Sequence, residues 1–161
     1  MSRLRPDHYL ALDLGDRRVG IAAGCSASGL ARPLEVFDRS AGDAALLHRI
    51  RELLKREEAG TLLLGDALNM DGSRGERSEL AHRFARSLKN AIRQARIVLY
   101  DERLSSFTAD EWMDRDGIKP ARRKSLRDAY AAAAILQEYF AAQRLQEPPD
   151  PVEGASGTPS E

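Results

Sequence analysis

Hydrophobic residues in the first half of the chain form short runs and one helical stripe. Two apolar runs flank the polar tetrapeptide Gly15 to Arg18, a pattern typical of a hairpin with a tight turn. From Ser40 to Glu58 the apolar residues recur three or four positions apart and Gly60 follows, which predicts an amphipathic helix. The predicted strands of this half are 9–14, 19–23, 34–37 and 61–64.

A second amphipathic helix is predicted behind a glycine-containing loop. Ser73 and Glu76 have the spacing of a capping box. Apolar residues then recur every fourth position from Leu80 to Ile92. We therefore expect a helix over about 74–93.

The rest of the chain predicts one strand and two helices. Residues 96–100 form the strand, and Ser105 or Ser106 is expected to cap a short helix through Met113. Pro120 opens a last helix that continues to about residue 145. The predicted order is β-β-β-α-β-α-β-α-α, which indicates an α/β protein with a five-stranded mixed sheet and flanking helices. Its first three strands are antiparallel, and the later strands are parallel.

Composition divides the chain into one domain and a tail. The 161 residues suffice for one ordinary core. We expect a domain over residues 1–145 and a disordered acidic tail over 146–161, because the tail holds four acids, four of the seven prolines and no basic residue. The neutral net charge of the whole chain therefore hides an excess of four positive charges in the domain.

Two further features limit the class of protein. No apolar run approaches the roughly 20 residues that cross a bilayer, and the first residues lack the apolar core of a secretory signal. We therefore expect a cytoplasmic protein without a membrane partner. Cys25 is the only cysteine, which excludes an internal disulfide, and its apolar surroundings indicate a buried strand residue.

Three acidic residues occupy positions where a charge is unusual. Asp13 interrupts an apolar run, where an ionised carboxylate needs a cation or hydrogen-bond donors; the alternative is that it caps the turn at Gly15. Asp101 and Glu102 follow a strand and should point to opposite faces, although such a pair can also form a solvated turn. Asp128 begins an apolar helix stripe, or it complements the helix dipole.

The three acids share one chemical logic. Hydrolysis of a phosphodiester needs its charge screened and a water activated, and carboxylates can hold two divalent ions about 4 Å apart for this purpose. Ligands that are all oxygen favour Mg²⁺ or Mn²⁺. His8, His48 and His82 are scattered along the chain and are interpreted as non-catalytic.

Two basic segments, 74–96 and 115–127, are candidates for contact with phosphates. The first holds seven Lys or Arg residues against two acids, and the second holds six against one. Such segments are often only solvated helix faces, but a nearby acidic cluster favours nucleic acid.

Four ordered motifs then resemble the YqgF/RuvX family across about residues 7–142. They are DLGDRRVG at 13–20, GDALNMDG at 65–72, DERLSS at 101–106 and RDAYAAAAIL at 127–136. The resemblance implies an RNase H-like fold, a nuclease that processes the 5′ end of pre-16S rRNA in ribosome biogenesis, and a relationship to Holliday junction resolvases. It also implies that Asp13, Glu102 and Asp128 are the catalytic, metal-binding residues, with Mg²⁺ or Mn²⁺ as cofactor.

The expected partner is nucleic acid, either pre-rRNA or branched DNA, and a homodimer is left open. Residues expected to contact nucleic acid are Arg18, Arg103, Arg122, Arg123 and Lys124. The chain departs from the family at Asp66-Ala67, where an apolar residue and proline are usual. Asp66 is interpreted as the start of a loop, with membership of the metal site as the alternative.

Two other functions are alternatives to hydrolysis of a phosphodiester. The spacing D-x-G-x-x-x-x-G also resembles the first phosphate hairpin of the actin and sugar-kinase ATPases. A single domain without a second glycine-rich phosphate loop disfavours that class. The stronger alternative is a non-catalytic RNA- or DNA-binding module, against which the presence of all three acids argues. Phe107, Trp112 and Tyr130 are candidates for base stacking, although Trp112 is better explained as a core residue.

Overall fold

The structure is a computed structural model that describes residues 3–102 and 108–146. Its elements follow in the predicted order. Several strands are longer than their apolar runs, because polar residues at the strand ends still pair with a neighbouring strand. The elements are β1 Arg5–Leu14, β2 Arg18–Cys25, β3 Leu30–Asp38, a 3₁₀ turn Arg39–Ala41, α1 Asp43–Arg56, β4 Ala59–Asp66, α2 Glu76–Ala91, β5 Arg96–Asp101, α3 Ala109–Arg115 and α4 Pro120–Gln146.

The five strands form one mixed sheet in the order β3-β2-β1-β4-β5. β1 pairs antiparallel with β2, which pairs antiparallel with β3. On its other side β1 pairs parallel with β4, and β4 pairs parallel with β5. The predicted division into antiparallel and parallel parts is therefore confirmed, and β1 lies at the centre of the sheet.

Helices cover both faces of this sheet, as the alternation along β1 shows. Leu10, Leu12 and Leu14 are buried against α1 and α2. Tyr9 and Ala11 are buried in the opposite layer with α3 and α4. Two hydrophobic cores thus share one sheet, and a residue's position in a strand decides which core it enters.

Two predicted helix caps are wrong. Ser73 does not cap α2, because its hydroxyl donates to Asp71 Oδ1 at 2.6 Å and the N-cap residue is Gly75. The short helix α3 is capped by Thr108, whose side chain accepts from the Glu111 amide in a capping box. The serines at 105 and 106 therefore do not cap it, and their placement lies outside the described residues.

The remaining predictions about the fold have mixed outcomes. Trp112 and Tyr130 are 3% and 5% exposed, so they are core residues and not base-stacking surfaces. Cys25 ends β2 and is only partly buried. Among the described helices, none has the length and apolar character needed to cross a membrane. Phe107 lies outside the described residues, and so does the tail after Gln146.

Candidate active site

Asp13 lies near the carboxyl end of β1, on the face that α4 covers. Tyr9 and Ala11 are buried in that layer, and Asp13 continues their alternation. The hairpin turn that follows is closed by the Gly15 amide, which donates to the Arg18 carbonyl at 2.8 Å. The Asp13 side chain therefore faces α4. The turn is closed by backbone atoms and not by the Asp13 carboxylate.

Gly20 brings Asp128 next to Asp13. Asp13 pairs with Gly20 across β1 and β2. A Cβ atom at Gly20 would lie 1.8 Å from the carbonyl oxygen of Asp128, so a side chain here is incompatible with the packing of α4. Because Gly20 has none, this turn of α4 rests directly on the sheet beside Asp13.

Gly65 makes the corresponding space for Glu102. It lies near the end of β4, the strand on the other side of β1. A Cβ atom at Gly65 would lie 2.8 Å from Glu102 Oε2 and 3.3 Å from Ile135 Cδ1 of α4. The Glu102 carboxylate therefore occupies the α4 face of the sheet. The structure brings all three predicted acids, Asp13, Glu102 and Asp128, to the same end of the sheet.

The electrostatics of this cluster are unfavourable for three ionised acids. The pKa of Asp13 is raised to about 7, chiefly by burial and then by the charge of Glu102; Asp128 adds to the rise and Arg77 opposes it. Burial also raises the pKa of Glu102, again against Arg77. For Glu102 the charges of Asp66 and Asp101 add to the effect of burial. A cation bound among the carboxylates would offset both the burial and the repulsion.

The donor set fits a hard divalent cation. All three side chains offer only carboxylate oxygens, which suit Mg²⁺ or Mn²⁺ better than Zn²⁺. Among the described residues, the group whose ligand atoms lie within 4.8 Å of one another is elsewhere, at Asp7, His8 and Cys25. The three acids therefore do not form a group as compact as that one.

Asp66 points away from this cluster. It is 7% exposed, and it accepts hydrogen bonds from Ser78 Oγ at 2.5 Å and lies 2.8 Å from His82 Nε2. Both partners belong to α2, which packs on the opposite face of the sheet. Asp66 is the last residue of β4, so the loop begins directly after it. Its carboxylate ties the first turns of α2 to the end of β4, with His82 as a structural partner.

The β1–β2 turn separates two grooves lined with basic residues. On one side, Asp16 and the first turns of α2 line a groove of about 830 Å³ that includes Arg74, Arg77, Arg83 and Arg86. On the other side, a groove of about 690 Å³ includes Arg17, Arg18, Arg39 and Lys124. In both grooves the basic residues outnumber the acidic ones, which favours a polyanion.

The predicted nucleic-acid contacts occupy different environments. Arg18 Nε lies 3.2 Å from Asp128 Oδ2, so this guanidinium links the acidic cluster to the groove it shares with Lys124. Arg122 is exposed. Arg123 is held by Asp114 at 2.6 Å and by a backbone carbonyl, and it is less available for a phosphate. Arg103 lies outside the described residues.

Three positioning residues were missed by sequence reasoning. Arg77 acts electrostatically on both Asp13 and Glu102, yet in the sequence it is one of seven basic residues in its segment. Gly20 and Gly65 belong to the quoted motifs. Their presence in motifs that also contain acidic residues was the one sequence signal that they help to position the site. What the sequence could not show was which helix or side chain each glycine admits.

Comparison with known proteins agrees with the family resemblance of the four motifs. A family model described as "RuvX: Holliday junction resolvase" matches residues 7–142. Proteins that carry the name "Putative pre-16S rRNA nuclease" are similar over most of their length. The one from Chloroflexus aurantiacus is 35% identical over 135 residues, which cover 84% of this chain and 87% of that protein. The one from Anaeromyxobacter sp. is 40% identical over 132 residues, which cover 82% and 95%.

A solved structure of Thermus thermophilus RuvC in complex with a Holliday junction substrate shares the fold. Its TM-score is 0.54 at 18% identity, covering 85% of this chain and 95% of RuvC. The mixed sheet with flanking helices is therefore the RNase H-like fold that the motifs imply. The family match and the curated relatives establish that the chain belongs to the RuvX family.

Proposed function

We propose that this protein is a metal-dependent nuclease that hydrolyses phosphodiester bonds with Asp13, Glu102 and Asp128. The observation that supports this most strongly is the convergence of three carboxylates from β1, the end of β5 and α4 on one side of the sheet. Family membership and the names of the curated relatives point to the same activity.

In this proposal the carboxylates hold Mg²⁺ or Mn²⁺. The bound ions would screen the phosphate and activate water for hydrolysis. The protein's own contribution is to position the carboxylates by way of Gly20 and Gly65 and to hold Asp13 partly buried. Arg18 and Lys124 offer positive charge beside the cluster for the neighbouring phosphates of the strand.

The first candidate substrate is the 5′ extension of pre-16S rRNA, in the cytoplasm. It is favoured by the relatives, whose similarity covers more than four fifths of this chain. The second candidate is a branched DNA junction, favoured by the description of the family model. A resolvase must cut two strands symmetrically, so that candidate also calls for a homodimer.

The discriminating experiment offers both substrates to the full-length protein. A 5′-extended 16S rRNA precursor and a four-way DNA junction are incubated separately with Mg²⁺, with Mn²⁺ and with chelator. We expect cleavage of the rRNA precursor that requires the metal. Cleavage of the junction alone, by a species that sediments as a dimer, would favour the resolvase function.

A matched pair of variants assigns any cleavage to the site. Asp13→Asn removes one carboxylate charge from the cluster, whereas Glu52→Gln makes the same change at an exposed position of α1 that lines neither groove. We expect the first to lose cleavage while it keeps binding, and the second to cleave at the parental rate. Binding of both substrates without cleavage under any metal would overturn the nuclease proposal in favour of a nucleic-acid-binding module.

A further inference from the structure

A second set of metal-ligating side chains lies at the amino end of β1, away from the acidic cluster. His8 of β1 pairs with Cys25 of β2 in the antiparallel ladder. A ring nitrogen of His8, Cys25 Sγ and a carboxylate oxygen of Asp7 lie within 4.8 Å of one another. His8 and Asp13 are five residues apart on one strand, or about 17 Å, so this set is separate from the proposed nuclease site.

An irregularity in β1 explains how neighbouring residues reach the same place. On a regular strand Asp7 and His8 would point to opposite faces. The register between β1 and β4 shifts between Arg5 and Tyr9, which is the segment that contains both residues. Such an irregularity redirects side chains, and here it lets both approach Cys25.

The surrounding hydrogen bonds hold this arrangement in place. His8 Nδ1 lies 3.1 Å from the carbonyl oxygen of Glu57, which can only accept. Nδ1 therefore donates to this carbonyl, which leaves Nε2 as the ring nitrogen that can face a metal, as in histidines that ligate metals through Nε2. The Asp7 carbonyl accepts from the Ser26 amide at 2.9 Å and from Ser26 Oγ at 3.3 Å, which fixes the backbone that carries the carboxylate.

The contacts between the three side chains are also those that a metal ion would replace. The Cys25 thiol donates to Asp7 Oδ2 across 3.7 Å. Coordination would replace this shared proton, which leaves to solvent as the thiolate binds the metal. Arg5 lies 3.5 Å from the same carboxylate oxygen and is half exposed, so it can turn outward as the cation enters.

We propose that Asp7, His8 and Cys25 form a binding site for Zn²⁺, with three protein ligands and a fourth position open to solvent. Sulfur, imidazole nitrogen and one carboxylate suit Zn²⁺ and disfavour Mg²⁺. His8 and Cys25 also line a cavity of about 620 Å³, together with Arg32, Arg56 and others. Water or a small anion from this cavity would complete a tetrahedral set.

Cobalt substitution tests the site directly because the chain has a single cysteine. The full-length reduced protein is titrated with Co²⁺, and absorption is recorded in the near ultraviolet and visible. A thiolate-to-cobalt band can come only from Cys25. We expect that band with one Co²⁺ per chain, strong visible bands of a tetrahedral ion, and loss of both on addition of one equivalent of Zn²⁺.

Variants separate this site from the nuclease site. Cys25→Ser should abolish the charge-transfer band, and His8→Gln should weaken Co²⁺ binding at least tenfold. His48→Gln removes an exposed histidine of α1 and Asp13→Asn disables the other site; both should leave the titration unchanged. Circular dichroism shows whether each variant is folded, and a rise in Tm with Zn²⁺ in the parent but not in folded Cys25→Ser gives an independent readout.

Absence of the band in the folded parent protein would overturn the proposal. So would a band that His8→Gln leaves at parental affinity, since Cys25 would then bind cobalt alone. Neither result bears on the nuclease proposal, which is judged by cleavage with Mg²⁺ or Mn²⁺.

Discussion

The two ends of β1 carry opposite kinds of polar cluster. At the carboxyl end, Asp13 meets Glu102 and Asp128, and all the donors are carboxylates. At the amino end, Asp7 and His8 meet Cys25, and the donors are oxygen, nitrogen and sulfur. One strand therefore presents a hard ligand set at one end and a softer one at the other, which predicts different metal preferences.

The two ends also differ in how their charges are balanced. At the amino end the acids have cationic partners, with Arg5 beside Asp7 and Arg32 beside Glu57. At the carboxyl end Arg18 pairs with Asp128 and Arg77 opposes the rise, yet burial and like charges still raise the pKa of Asp13 to about 7. The proposed active site therefore lowers the stability of the metal-free protein, as expected of a site that a cation completes.

Gly20→Ala should have the largest effect on stability and should damage the carboxyl end first. The new Cβ would lie 1.8 Å from a backbone oxygen of α4, which cannot move without shifting the helix. We expect a loss of about 3 kcal/mol, at the upper end of typical overpacking costs, measured by urea unfolding. Gly65→Ala is the matched control: its Cβ meets the Glu102 side chain, which can rotate, so it should lose cleavage with little loss of stability.

Asp13→Asn should stabilise the metal-free protein in a pH-dependent way. The folded-state pKa of about 7 lies above the ordinary value of 3.8, so ionising Asp13 costs folding free energy as pH rises from about 4 to 7. The full shift corresponds to at most about 4 kcal/mol, and partial exposure reduces it to about 2 kcal/mol. We expect the Tm gain of Asp13→Asn in chelator to be larger at pH 8 than at pH 5.

Two controls sharpen this prediction. Asp16→Asn changes an exposed acid of the same turn and should give no pH-dependent gain. Added Mg²⁺ should stabilise the parent and not Asp13→Asn. An equal Tm difference at both pH values would show that Asp13 is solvated, contrary to its place between β1 and α4.

Binding of nucleic acid should depend on the carboxyl end alone. Arg122→Ala with Arg123→Ala and Lys124→Ala should weaken binding about tenfold for unrelated sequences. Because Arg123 is held by Asp114, the slope of log affinity against log salt should fall by about 1.8, for two phosphate contacts, and not by 2.7. The double variant Arg32→Ala with Arg56→Ala, at the amino end, should change neither the affinity nor the slope. A similar loss of affinity in that variant would mean that positive charge anywhere on the protein supports binding.

The smallest effect is expected from the tail. We propose that the acidic segment after Gln146, the last residue of α4, is dispensable, and truncation after Leu145 should change the free energy of unfolding by less than about 0.5 kcal/mol. The cleavage rate should stay at the parental value, and binding should strengthen slightly because four acids are removed. A large loss of Tm or of cleavage would show that the tail packs on the domain.

The sequence predicted the carboxyl end far better than the amino end. Element order and sheet class follow from hydrophobic periodicity, and the acids at 13, 102 and 128 stand out because each interrupts an apolar pattern or follows a strand. The caps predicted at Ser73 and at Ser105 or Ser106 are wrong because several hydroxyls compete for each helix start: Ser73 binds Asp71 instead, and Thr108 caps α3.

The cluster at the amino end could not be predicted because it depends on the register in which β1 pairs with β2. His8 and Cys25 are 17 residues apart in unremarkable contexts, and only the pairing of β1 with β2 makes them neighbours. The position of Asp7 depends further on an irregularity in β1. Spacing rules for metal ligands assume regular elements, so they overlook a set of this kind.

The most direct test of the central claim is metal-dependent cleavage by the parent and Asp13→Asn, each folded and each bound to the 5′-extended 16S rRNA precursor. The account predicts that the parent cleaves with Mg²⁺ or Mn²⁺ and stops in chelator. It predicts that Asp13→Asn binds equally well and cleaves more than about 100-fold slower, beyond the usual loss for an outer-shell partner of a metal ligand. Cleavage by Asp13→Asn at the parental rate would contradict the assignment of catalysis to the carboxyl end of β1.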